Sequence, residues 1–479
     1  MSDRSPLSFL SLSGKLSRET LPVNSELFVP GDNLRADPGN LAACINAAAR
    51  QARSELLVVC SADLAVLSPE FPTLLDESVH ANPDGALFYG IYSVGSASGK
   101  DETVRVWDDI GDITEREDWG PVWAIRIASL LASGGLDERY PRAAFYDLLL
   151  KMQEVGRRVR IPQTLATVSA QPEGAQSAVK AKLFFPGRGK LGGFSYLFMD
   201  PEEERQTESI FYSALKRRAA WLEGERTARP PKAADTSPIV SIITPIYNRA
   251  SFIGDAVASV QRNALKDWEH IIVDNGSTDG TRDVVRRLAA RDKRIRLVEN
   301  DRNIIALSLN IALRHARGKY IAQLDSDDEY TPQTLQSMVS ALEANPTWAL
   351  AISYYALMDE TGHSLPDLGV IKHLEYNRNN ILRVDGAGAV RCWHRSVIQE
   401  MGGFDEKDFA DYGEDYDLVL KVSEKYEIGR VHEVCYRYRR HPDNTDARRD
   451  PLMKLRNKTL ARQRALERRR LQNQSVPTV

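Results

Sequence analysis

The strongest constraint on what this chain can fold into is a run of alternating element types between Pro238 and about Arg440. Val240–Thr244 is a short β-branched run ending at Pro245, and Phe252–Val260 has the apolar spacing of a helix. His270–Asp274 is a second apolar run, closed by the turn residues Asn275-Gly276-Ser277. Arg282–Ala290 reads as helix and Ile295–Val298 as a third strand, after which Ile305, Leu309, Ala312, Leu313 and Ala316 recur at helical spacing. Lys319–Leu324 is a fourth strand that runs directly into Asp325-Ser326-Asp327-Asp328. Short strands separated by helices predict right-handed βαβ crossovers and an α/β fold with a mainly parallel sheet. Ligands of such sheets sit beyond the carboxyl ends of the strands. Pro245–Arg249, Asn275–Asp279 and Asp325–Asp328 all fall at that edge.

Side chains two apart on a strand face the same way, so Asp325 and Asp327 present two carboxylates together. Such a pair is a hard oxygen site suited to Mg²⁺ or Mn²⁺, which keeps several waters and shares a diphosphate. Asp-x-Asp alone is a weak signal, common in solvated loops. The strand Tyr320–Leu324 before it, fourth in the series, gives it weight.

Five segments then resemble the successive signatures of the family 2 inverting glycosyltransferases, which have the GT-A (Rossmann-like) fold. They are Thr244-Pro245-Ile246-Tyr247-Asn248-Arg249, Val273-Asp274-Asn275-Gly276-Ser277-Thr278-Asp279-Gly280, Ala316-Arg317-Gly318-Lys319-Tyr320-Ile321, Leu324-Asp325-Ser326-Asp327-Asp328 and Gly413-Glu414-Asp415-Tyr416-Asp417-Leu418. The resemblance covers roughly 238–444, under half of the chain. It implies that Pro245 and Tyr247 lie against the donor nucleoside, and that Asp274 and Asn275 meet its base or ribose. Asn275 stands where the family often has a second Asp. Asn303 approaches the nucleotide, followed by Ile304 where Gly is frequent. By the same resemblance Asp325, with Ser326, contacts the ribose or the metal, and Asp327 ligates the metal. His441 in Arg439-Arg440-His441-Pro442 resembles the late histidine that completes metal or diphosphate binding. Asp415 is the expected base for the incoming hydroxyl, and attack opposite the leaving group gives inversion in one step. Glu414 and Trp393 are acceptor-side candidates; Trp393 and Arg391 can equally serve packing and solvated charge.

The region upstream carries a repeat of the downstream one. Asn46–Arg53 matches Asn310–Arg317 at an offset of 264, Gly134–Glu138 matches Gly402–Glu406 at 268, and Tyr146–Lys151 matches Tyr416–Lys421 at 270. These offsets set Asp63 under Asp327, Ser61 under Asp325, Phe145 under Asp415 and Ala144 under Glu414. A phenylalanine cannot accept a proton, and the copy shows no counterpart of the first two strands, so it is expected to be a degenerate, non-catalytic α/β unit. The expected organisation is an N-terminal extension at 1–23, the degenerate copy at 24–178, and a basic loop, helix and linker at 179–236. The catalytic domain follows at 237–448, with a basic helix or tail at 449–479.

Composition excludes several other classes. With 42% apolar and 27% charged residues the chain is globular, and its formal net charge of -3 gives no overall basicity for nucleic acid. Four cysteines without a CxxC pair (Cys44, Cys60, Cys392, Cys435) give neither a disulfide scaffold nor a zinc cluster. With no long apolar run and a polar N-terminus, the expectation is a cytoplasmic protein. Residues 451–479 hold eight basic groups against Glu467 alone, which reads as a solvated, frayed helix or, more sharply, as a peripheral contact with anionic lipid. Gly187-Arg188-Gly189-Lys190-Leu191-Gly192 fits GxGxxG but follows Pro186 and precedes an aromatic stretch, the wrong context for a dinucleotide site. The expected partners are a nucleoside diphosphate-sugar, with UDP or dTDP as nucleotide, and a glycan, lipid-linked or protein acceptor; a homo-oligomer is compatible with this. A carbohydrate-binding scaffold and a nucleotidyltransferase are the competing classes.

Overall fold

In the computed structural model each strand expected between Pro238 and Asp325 forms, because an apolar β-branched run is best buried in a sheet covered on both faces. β9 (Val240–Ile246), β10 (Trp268–Asn275), β11 (Ile295–Asn300) and β12 (Tyr320–Gln323) lie parallel in the order β11-β10-β9-β12. Every residue of β10 is buried. β9 continues through Pro245, whose fixed φ tolerates an extended backbone. Beyond β12 the sheet becomes mixed. β16 (Arg391–His394) runs antiparallel on β12, and β14 (Trp348–Met358) runs antiparallel on β16. β17 (Glu427–Arg439) is parallel to β14, with β13 (Glu329–Tyr330) at the far edge and β15 (Val370–Ile371) on β14. Helices Ile253–Gln261 and Thr334–Ala344 close one core against this sheet through Ile253, Val257, Val260, Leu335 and Met338.

The structure describes all residues except 1–6, 13–15, 17–20, 23, 38, 62–64, 96–101, 105–107, 115–118, 170–199, 225–227, 233–236, 366–369, 376, 385–387, 445–447 and 476–479. The GxGxxG segment and Asp63 lie outside the described residues. The chain divides into two units, Met1–Arg217 and Arg218–Val479. Helix Pro201–Arg217 therefore groups with the first unit, while 218–236 and the C-terminal helix group with the second, unlike the boundaries expected from composition.

The first unit has its own sheet. β1 (Ser8–Ser11), β2 (Glu26–Phe28), β3 (Leu56–Cys60), β4 (Ala65–Leu67), β5 (Gly85–Gly95), β6 (Glu102–Val104), β7 (Val122–Arg126) and β8 (Arg157–Ser169) take the order β2-β1-β3-β7-β5-β8-β4, with β6 on β5. This is the order β10-β9-β12-β16-β14-β17-β13 of the second unit. β1 and β2 lie parallel beside β3 as β9 and β10 do beside β12. That corrects two expectations: the first two strands have counterparts, and residues 8–11 belong to the sheet rather than to an extension. Strands of four and three residues are too short for periodicity to reveal. The long pairs also slip register at matching points, after Gly85, Gly90 and Ile91 in β5–β8 and after Trp348, Ser353 and Tyr354 in β14–β17.

One side-chain clamp is used in both units. Asn46 donates to Leu136 O (2.8 Å) and Glu138 Oε1 (2.9 Å) and accepts from Leu136 N (2.8 Å). Asn310 does the same with Phe404 O (2.8 Å), Glu406 Oε1 (2.7 Å) and Phe404 N (2.9 Å). The glycine facing each amide has positive φ, +72° at Gly135 and +80° at Gly403, and an added Cβ would stand 2.9 and 2.6 Å from the amide oxygen.

The basic tail is a packed element rather than a frayed one. Helix Pro451–Ser475 buries Lys454, Leu455, Ala461, Arg462, Ala465 and Arg469. Arg464 pairs with Asp405 (3.0 Å) and Asp408, and Arg468 grips Glu424 (2.8 Å). Arg462 Nε donates to Leu382 O (2.7 Å), and Arg470 pairs with Glu467 (2.8 Å). Several of its cations are thus engaged inside the unit.

Asn46→Ala and Asn310→Ala should each lower the stability of their own unit by about 1–3 kcal/mol, since each strands buried backbone groups. Urea unfolding followed by a probe in each unit measures this.

Candidate active site

The carboxyl ends of β9, β10 and β12 bring the expected nucleotide-binding residues to one edge. Pro245 is half-buried at the end of β9, followed by the exposed Tyr247. Asn248 has φ +52° and ties the first loop to the second: its Oδ1 accepts from Thr278 N (2.8 Å), and its N donates to Ser277 Oγ (3.0 Å). Asp274, fully buried, accepts on Oδ2 from Arg282 Nη2 (2.7 Å) and Nε (3.0 Å), while its buried Oδ1 has no partner among the described residues. Asn275 Oδ1 accepts from Ser308 Oγ (2.5 Å) and Asn300 Nδ2 (3.0 Å). Asn303 is exposed in the turn after β11.

Asp325 leaves β12 with its backbone N–H on Tyr436 Oη (3.2 Å), and Ser326 is buried beside it. Solvent reaches the Asp325 carboxyl, yet protein surrounds it on its other sides. This burial pushes it up to about 7, and the charge of Asp327 raises it further while Arg391 opposes the rise. Burial would raise Asp327 too, but the hydrogen bond from His441 and the charge of Arg249 prevail and hold it below the usual carboxylate range. Asp327 Oδ2 is 3.0 Å from His441 Nε2 and 3.2 Å from Arg249 Nε. Asp328 is buried and accepts from Arg439 N (2.7 Å); burial and then Asp327 raise its carboxyl well above normal.

Across the edge, Gly413 adopts φ +90° and starts helix Glu414–Lys425. Asp415 Oδ2 meets Arg391 Nη2 at 2.5 Å, and its Oδ1 accepts from Tyr416 N (2.7 Å). Glu414 is buried, which raises its carboxyl well above normal, and the charge of Asp415 raises it further. Trp393 corrects an expectation. It faces the interior, fully buried, with Nε1 donating to Gln323 Oε1 (2.9 Å), so its ring is a packing element rather than an acceptor contact.

Among the described residues no group of three His, Cys, Asp or Glu side chains could hold an ion by itself. Instead, two carboxylates stand at the strand end, and Asp325 takes no side-chain hydrogen bond among the described residues. This donor set fits Mg²⁺ or Mn²⁺, which fill their shells with water and phosphate oxygens. His441 does not present a lone pair to such an ion here. Its Nδ1 accepts from Asp443 N (3.2 Å), so the proton sits on Nε2 and is given to Asp327. The imidazole therefore orients a carboxylate from behind.

Arg249, Arg391 and Arg439 are the site residues for which sequence reasoning gave no settled role. Arg439, fully buried, donates from Nε to Asp327 O (2.7 Å), from Nη1 to Glu360 O (3.0 Å) and from Nη2 to Glu329 (2.9 Å), fixing the acidic loop from beneath. Its place in Arg439-Arg440-His441 was the available signal.

In the first unit an aromatic cluster stands at the start of the corresponding helix. Trp119 lies 4.6 Å from the Phe145 ring and 5.9 Å from Trp123, and Trp123 is 6.1 Å from Phe145. Both tryptophans are buried. A separate hollow of about 580 Å³ in that unit, bordered by Asp108, Asp109, Arg157 and Arg160, shares none of these rings.

The pH response of Asp325 can be worked out. Its folded value lies above the unfolded one, so the native state holds the proton more tightly and loses stability as pH rises from about 4 to about 7. Asp325→Asn should melt higher than the metal-free wild type at pH 8, with the difference vanishing near pH 4. Thermal melts across pH check this.

Residues 241–402 match the family described as Glycosyl transferase family 2, a span that holds Asp274, Asp325 and Asp327 and ends before Asp415 and His441. The chain is 30% identical over 220 residues to the putative glycosyltransferase EpsE of Bacillus subtilis (strain 168), covering 44% of this chain and 76% of that protein. It is 27% identical over 292 residues to a chondroitin synthase of Pasteurella multocida (strain Pm70), covering 59% of this chain and 29% of the synthase. The chain spans about half or less of the first curated relatives it matches. Among solved structures it is similar to a mannosyltransferase from Pyrobaculum calidifontis in complex with GDP-Man and Mn²⁺, with 25% identity, 48% of this chain and 63% of that chain covered, and a TM-score of 0.34. The acidic strand end of β12 thus lies inside the family match, the likeness to EpsE runs over most of that protein, and this chain belongs to glycosyltransferase family 2.

Proposed function

We propose that the second unit transfers a sugar, with inversion, from a nucleoside diphosphate-sugar to a glycan, lipid-linked or protein acceptor in polysaccharide synthesis. The supporting observation is the meeting of Asp325 and Asp327 at the end of the fourth parallel strand with Asp415 on the facing helix. EpsE is a putative glycosyltransferase and the Pasteurella relative a chondroitin synthase, which agrees with this reading.

Asp274, with its unpartnered buried oxygen, and Asn275 receive the base or ribose of UDP or dTDP, and Pro245 and Tyr247 cover the nucleoside. Asp325 and Asp327 hold Mg²⁺ or Mn²⁺, which supplies Lewis-acid stabilisation of the departing diphosphate. Arg249 adds positive charge beside Asp327. Asp415 takes the proton of the acceptor hydroxyl as its oxygen bonds to the anomeric carbon. The bond from that carbon to the diphosphate oxygen breaks on the opposite face, and the oxygen leaves with the electron pair. Glu414, whose neutral form burial favours, lines the acceptor side.

The first unit is read as a non-catalytic relative. Phe145 occupies the place of Asp415 and Trp123 that of Arg391, so the proposed transfer site is that of the second unit. Among the described residues no helix is long and apolar enough to cross a membrane.

UDP with Mn²⁺ should raise the melting temperature of the full chain, because a ligand of the folded state stabilises it. Asp327→Ala should abolish most of that shift. Asp415→Asn should keep the shift while lowering turnover by roughly 10²–10⁴-fold, measured as UDP release. Equal shifts in wild type and Asp327→Ala would overturn the metal assignment.

A further inference from the structure

We propose that Arg391 is a positioning residue of the transfer step, holding Asp415 in the orientation from which it receives the acceptor proton; this rests on the role proposed for Asp415. Arg391 stands on β16, between Gln323 of β12 and Ile352 of β14, and reaches the first turn of helix Glu414–Lys425. Its Nη2 lies 2.5 Å from Asp415 Oδ2, with only 15% of its side chain exposed. Its buried Nε has no hydrogen-bond partner among the described residues. Among the described residues its one side-chain ion pair is therefore with a carboxylate at the cleft, at the short distance of a charge-assisted bond. With Oδ2 on Arg391 and Oδ1 on Tyr416 N, the carboxylate plane is fixed, and each oxygen keeps a lone pair for an incoming hydroxyl.

The first unit supplies an independent observation. Strand register places Trp123 opposite Val59 of β3 and Tyr89 of β5, as Arg391 stands opposite Gln323 of β12 and Ile352 of β14. Phe145 is the second residue of helix Ala144–Val155, as Asp415 is of helix Glu414–Lys425. The ion pair in one unit is therefore an edge-on aromatic pair in the other, with the Trp123 and Phe145 rings 6.1 Å apart and inclined at 70°. Around it the scaffold contacts persist. Tyr146 Oη donates to Ile113 O (2.6 Å) where Tyr416 Oη donates to Ile381 O (3.0 Å), and Asp147–Lys151 (2.9 Å) parallels Asp417–Lys421 (2.6 Å). The fold thus accepts an aromatic side chain at the place of Arg391, and the arginine accompanies the carboxylate.

The test uses the full chain with UDP-glucose and UDP-N-acetylglucosamine as probes, Mn²⁺, and UDP release as readout. Arg391→Ala should lower kcat roughly 10- to 100-fold with KM for the donor within about twofold, as expected of a misplaced catalytic group. The melting shift produced by UDP and Mn²⁺ should be unchanged. Added guanidine should recover part of the lost kcat, and Arg391→Lys should be less impaired than Arg391→Ala. In an Asp415→Asn background the same substitution should cost less than about twofold, because the partner is already gone. If Arg391→Ala does not fold, Arg391→Gln carries the same comparisons. Wild-type kcat in the folded variant, or losses that multiply with those of Asp415→Asn, would overturn the positioning role alone. A raised donor KM and a lost UDP shift with kcat intact would assign Arg391 to the donor instead. No UDP release and no UDP shift in the wild type would overturn the transfer reading, and this role with it.

Discussion

The second unit has to keep several carboxylates together at one sheet edge, and its site is built around that repulsion. Asp325, Asp327, Asp328, Glu414 and Asp415 feel one another through an interior where charges interact strongly. Two devices contain them. Asp327 is flanked by Arg249 and His441, and Asp415 by Arg391. Asp328 and Glu414 are buried, so that their neutral forms are favoured. Asp325 receives neither a cation at contact distance nor a hydrogen bond among the described residues, and its raised proton affinity records the deficit.

The first unit shows how much of this fold is independent of that charge. It keeps the strand order, the register slips, the asparagine clamp and the tyrosine and lysine contacts of the helix, with aromatic rings where the second unit has an arginine and an acid. Rings in a buried position add dispersion and apolar burial and ask for no counter-charge. A site of this kind is therefore an electrostatic load carried by a scaffold that stands without it.

What could be read from the sequence follows from range. The four parallel strands were legible, being apolar runs closed by turn residues, and the paired acids were legible from their place after the fourth strand. The two short strands of the first unit offer too few residues for any period. The C-terminal helix defied reading because two of its buried positions are Arg462 and Arg469, whose aliphatic stems pack while their head groups find Leu382 O and Arg378 O. Arg249, Arg391 and Arg439 meet their carboxylates or acidic loop across long stretches of chain, so no local pattern carries them. Trp393, open between packing and acceptor contact in the sequence, is decided by a partner 70 residues away, Gln323 on the neighbouring strand.

That helix also bears on the chemistry. Glu414, Asp415 and Asp417 crowd the first turn of helix Glu414–Lys425, where backbone N–H groups favour negative charge. The turn begins at Gly413, whose φ of +90° excludes a side chain without strain. Asn457 of the C-terminal helix donates to Tyr412 O (2.8 Å), just before that glycine, and Arg462 spreads over the Tyr416 ring at 5.3 Å, just after the acids. The candidate base is thus gripped from both sides by an element that composition alone would assign to solvent. A carboxylate that must meet a hydroxyl at a fixed angle gains from such a brace, since its direction is set by the backbone of its turn as much as by its own rotamer.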